Sequence, residues 1–96
     1  MFTHVVFFKL KDAKKENIEE AENILLGMEG KIELLKYLEV GVDVLHSQRS
    51  YDIALITKFD SLDAMKEYQV HPYHADVVGA HMKAVCESII AVDYQD

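Results

Sequence analysis

The chain has 96 residues, a formal net charge of −7 and an apolar fraction of 50%, the profile of a single globular domain spanning residues 1–96. One arginine, Arg49, and an acidic excess exclude a protein that grips a phosphate backbone, so no nucleic-acid partner is expected. The lone cysteine, Cys86, allows neither an intrachain disulfide nor a thiolate metal site; with no bilayer-length apolar run and no signal-like amino terminus, a cytoplasmic protein with no membrane partner is expected.

Residues 2–10 are rich in β-branched and aromatic types and predict a first strand. Phe2, His4, Val6, Phe8 and Leu10 fall on one face, Thr3, Val5, Phe7 and Lys9 on the other. Both faces are largely apolar, so cover is expected on both. Asp12 is the candidate cap of the next helix. Ile18, Ala21, Leu25 and Met28 recur at helical spacing, and the glycines from Gly27 to Gly30 end the pattern. A second strand is predicted at roughly 37–45, with Leu38, Val40, Val42 and Val44 on one face. A short polar connection leads to a third strand at 51–59, and so short a loop predicts antiparallel pairing.

Asp60 and Ser61 provide a cap for a short helix at 62–69, with Leu62, Met65 and Tyr68 turned inward. Then comes the densest stretch of the chain, residues 68–74, which holds two histidines, two tyrosines and the only proline. Pro72 has no N–H and its ring clashes with the preceding turn, while pushing His71 toward extended backbone. The helix is therefore predicted to stop near Val70 and a new one to start near Tyr73. In that second piece His74, Val77, Val78, His81 and Val85 are expected to share one helical stripe. Residues 88–94 predict a fourth strand.

The order β-α-β-β-α-β, with the second helix broken at Pro72, predicts an α+β, ferredoxin-like protomer with one antiparallel sheet and helices on one face. The other face would expose a contiguous apolar patch, which favours two such sheets packed face to face as a homodimeric barrel.

Several stretches resemble the stress-responsive A/B barrel, or Dabb, family: His4 to Lys11, Glu39 to Val42, Tyr51 to Leu55, Ala91 to Tyr94 and, most specifically, Tyr68 to His74. The resemblance implies a dimeric α+β barrel. It departs from many members in having no proline between Gly30 and Leu34. It implies little about reaction. One plant relative is an aldol-type polyketide cyclase that needs no cofactor, and its catalytic histidine and tyrosine fall on His74 and Tyr68. His4 matches a pocket-lining histidine and His71 a further family histidine, so both are implied ligand-binding positions. Distantly related dimeric barrels include monooxygenases, for which this chain carries no signal.

His4, Tyr68 and His74 suit acid–base work on a carbon acid beside a carbonyl. A histidine takes the proton and a tyrosine O–H steadies the enolate oxygen. The same residues also suit a packed turn of buried polar groups tied to one another, so an enzyme and a non-catalytic ligand pocket both remain open. His4, His71 and His74 number enough for zinc, but Pro72 spoils regular geometry between the last two and no carboxylate is at hand. No metal and no cofactor are expected. His81 reads as a helix-face residue, Cys86 as a small core residue, and Glu16 to Glu22 as a solvated face.

Overall fold

The computed structural model describes residues 1–96. Its elements are β1 (Phe2–Leu10), α1 (Lys15–Leu26), β2 (Tyr37–Val42), β3 (Ile53–Phe59), α2 (Leu62–Val70), a π-helical segment (Tyr73–Gly79), α3 (Ala80–Val85) and β4 (Cys86–Gln95). The strands form one antiparallel sheet in the order β2-β3-β1-β4. This is the ferredoxin-like arrangement expected from the element order. No helix is long and apolar enough to cross a membrane.

The register decides which residues meet. Phe8 pairs with Ile53 and Ile89, Val6 with Leu55 and Ala91, and His4 with Thr57 and Asp93. Directly paired residues share a face, and this face carries the helices. Its core joins Phe2, Val6, Phe8, Leu55 and Phe59 to Leu25, Met28, Met65, Tyr68, Val78 and Met82. The opposite face presents Val5, Phe7, Ile56, Ile90, Val92 and Tyr94 and carries no helix. Ile90, Val92 and Tyr94 are 48%, 59% and 47% exposed.

Local chemistry shifts several boundaries. Asp12 does not cap α1: the helix begins at Lys15 with no side-chain cap, and Asp12 Oδ1 accepts from the Lys14 N–H, ahead of the first turn. β2 ends at Val42 because Asp43 turns to accept from the His46 N–H, with His46 at φ 56°. β3 begins only at Ile53, since the Asp52 carboxylate accepts from the Leu10 N–H at 2.8 Å. Ser61 caps α2 by accepting from the Ala64 N–H at 3.1 Å. Leu62, expected inward, is 41% exposed.

The helix does break around Pro72: α2 ends at Val70 and His71 is extended at ψ 134°. The segment after the break departs from the predicted α-helix. Residues Tyr73–Gly79 wind as a π-helix before α3 resumes normal pitch. The wider turn rotates the expected stripe, so Val78 is buried at 2% exposure while Val77 is 46% exposed.

Candidate functional site

Three of the residues singled out from the sequence converge beneath the helices. His4 stands near the start of β1 on the helix-bearing face, Tyr68 comes from α2, and His74 from the start of the π-helical segment. The Tyr68 ring lies 4.3 Å from the His74 ring and 6.5 Å from the His4 ring, centroid to centroid, and its other neighbour is Phe59 at 4.7 Å. The Pro72 break makes this approach possible, because a straight helix carries residues 68 and 74 to different faces. The three border a cavity of about 240 Å³, walled by Val6, Phe8, Leu25, Leu55, Val78 and Met82 and, from β4, by Ile89 and Ala91.

His71 is not brought to this cavity. Its Nδ1 accepts from the Tyr73 N–H at 3.1 Å and satisfies a free donor at the start of the π-helical segment. His81 faces α1 instead, with Nε2 3.7 Å from Glu20 Oε1. Cys86 is buried in the core, where burial pushes its thiol up. No group of three histidine, cysteine or acidic side chains is arranged to hold a metal ion.

Hydrogen bonding sets the state of both cavity histidines. His74 Nδ1 lies 3.2 Å from the Gln69 carbonyl oxygen. A carbonyl only accepts, so Nδ1 carries the proton and, in the neutral ring, Nε2 holds a free lone pair. Burial pushes the His74 imidazole below its ordinary value; the Gln69 carbonyl opposes this, and positive charge on His4, His71 and Lys83 adds to it. His74 is therefore neutral near pH 7. His4 Nδ1 is hydrogen-bonded to Asp93 Oδ1, which fixes the ring's orientation in the same sense. No protein group bonds Nε2 of either ring, and no buried side-chain nitrogen lacks a partner, so both Nε2 atoms are open to solvent.

Tyr68 is fully buried, and burial alone pushes its phenol far up, so it stays protonated. Its O–H donates to Met28 Sδ at 3.5 Å, a weak acceptor. Asp93 is the partner that sequence reasoning missed. It lies 89 positions from His4, and only the β1–β4 register brings the two together. Gln69, Gly79 and Lys83, which also border the cavity, were missed as well. Gly79 did carry a signal: a Cβ there would sit 3.1 Å from the His74 carbonyl oxygen, so a glycine inside an apolar helical run marks the tight turn.

A four-stranded antiparallel sheet with a broken helix closing a histidine-bearing cavity defines a ferredoxin-like α+β protomer. More narrowly, the chain belongs to the stress responsive A/B barrel domain family, whose profile matches residues 2–96. It is 32% identical to an uncharacterized Streptomyces coelicolor protein over 80 residues, covering 77% of this chain and 79% of that one. A Bacteroides fragilis protein of unknown function, described as dimeric and ferredoxin-like, superposes with a TM-score of 0.83 at 30% identity, over 99% of this chain and 95% of that one. A hydroxynitrile lyase from Passiflora edulis superposes with a TM-score of 0.83 over 97% of this chain and 90% of that one; at 16% identity the likeness is one of fold alone.

Proposed function

We propose that this chain is a homodimeric stress-responsive barrel domain whose cavity binds a small apolar or aromatic molecule. The observation that carries the reading is the cavity itself: about 240 Å³, walled by aliphatic and aromatic side chains and bearing two imidazoles with free Nε2 atoms. Ligand pockets typically run from about 300 to 1,000 Å³ with a few convergent polar groups, so the occupant is small, of roughly one ring. Self-association is supported by the uncovered apolar face of Val5, Phe7, Ile56, Ile90 and Val92, and by the dimeric state described for the Bacteroides relative. Acetophenone, titrated into the protein and followed by amide NMR shifts, should bind saturably. Ala91→Phe, on the exposed β4 wall, should abolish binding by filling the space. Shifts that never saturate, or that survive Ala91→Phe, sink the reading.

One observation favours an enzymatic version: neutral His74 with an unpaired Nε2 is in the state of a general base. In a cofactor-independent lyase or aldol-type cyclase, Nε2 would take a proton from carbon beside a carbonyl. Tyr68 would be the oxyanion partner, which requires its hydroxyl to turn from Met28 Sδ toward the substrate. The test needs no natural substrate. The protein should speed deuterium exchange at the acetophenone methyl group, and His74→Gln should remove that effect. Exchange no faster than in buffer leaves the binding domain as the whole function.

A further inference from the structure

The cavity is not electrically neutral at its edge. Among the residues bordering it, only Lys83 carries a permanent charge. Lys83 is exposed, so it stands at the rim rather than in the depth. It pairs with no carboxylate; the one lysine in an ion pair is Lys15, with Glu19. Asp93, the one acid reaching the cavity histidines, is engaged by His4. Lysines without a carboxylate partner are the rule in this chain; what sets Lys83 apart is its place beside the apolar cavity.

We infer that the cavity selects a small amphipathic monoanion, a carboxylate, phenolate or enolate on a one-ring apolar body, with Lys83 holding the charged head. The inference rests on the cavity being a ligand site and names the class of ligand it takes. The body lies among Val6, Phe8, Leu55, Val78 and Met82, where it replaces water against apolar surface. The head stays at the rim, where it keeps part of its hydration and meets the Nζ. The neutral His74 ring adds no competing cation.

Benzoate and its neutral isostere benzamide separate the possibilities. Both should bind in the cavity, with benzoate tighter. Lys83→Met keeps the length of the side chain and should weaken benzoate about fivefold, the upper end of what an exposed ion pair is worth, while leaving benzamide unchanged. Raising the salt concentration should weaken benzoate alone. If benzamide binds as tightly as benzoate, or if Lys83→Met lowers both equally, Lys83 serves only the end of α3 and the inference is overturned while the ligand cavity stands. If neither compound binds, the cavity reading falls and this inference with it.

Discussion

Gly79→Ala separates two kinds of reasoning that predict opposite signs. Gly79 has ordinary helical angles, φ −62° and ψ −43°, so helix propensity alone predicts that alanine stabilises by up to about 1 kcal/mol. The π-helical geometry predicts the reverse. A Cβ would stand 3.1 Å from the His74 carbonyl oxygen, inside the 3.4–4 Å of ordinary contact. That oxygen is main chain and cannot rotate away as the end of a long side chain does. Forcing an extra methyl group into a packed site costs roughly 1–3 kcal/mol, which outweighs the propensity gain and leaves a net loss of about 1 kcal/mol. For a domain of this size that is a fall in Tm of roughly 4–8 °C, measurable by circular dichroism. The same displacement moves His74, so acetophenone binding should weaken too. A Tm raised by several degrees with binding intact would refute the π-helical account of residues 73–79.

Other predictions address the titrating groups and the open face. His74 has a folded-state pKa below its unfolded value of about 6.5. Its contribution to stability is therefore complete above pH ~6.5 and is lost as pH falls toward the lowered folded value; His74→Gln should flatten urea midpoints across that window, and an unchanged slope would contradict the assignment. Tyr68 behaves in the opposite sense: its raised pKa keeps stability intact below the unfolded value of about 10 and drains it as pH rises above that, so its phenolate absorbance should appear only as the fold is lost. Tyr68→Phe removes a weak O–H···S contact and should cost less than about 1 kcal/mol, whereas Tyr68→Ala empties a packed site and should cost about 3–5 kcal/mol. Ile90→Glu, on the uncovered face beside Phe7, should reduce the light-scattering mass from twice 11.0 kDa to once that value; a dimer unaffected by the charge would place the interface elsewhere.

Much of the fold is legible because its signals are local. Richness in β-branched and aromatic residues marked β1, alternation marked β2, the Ser61 hydroxyl marked the start of α2, and Pro72 marked its end through a missing donor and a steric clash. The convergence of Tyr68 with His74 was legible for the same reason, since the break alone lets the two rings meet. What stayed hidden depends on pairings that periodicity does not encode. Asp93 beside His4 is a product of sheet register, and the π-helical winding of Tyr73–Gly79 comes from hydrogen bonding one residue longer than the apolar spacing assumes. Asp12 deceived because a short acidic side chain bonds to whichever backbone N–H lies nearest, whether or not it belongs to the expected element.

Intermolecular nuclear Overhauser contacts from bound acetophenone test the central claim most directly, because they report where the ligand lies and not merely that it binds. The ring protons should contact the Tyr68 ring and the side chains of Val6, Val78 and Met82, all bordering the cavity under the helices. Contacts confined to Val5, Phe7, Ile56 or Val92 would put the ligand on the opposite sheet face and contradict the account.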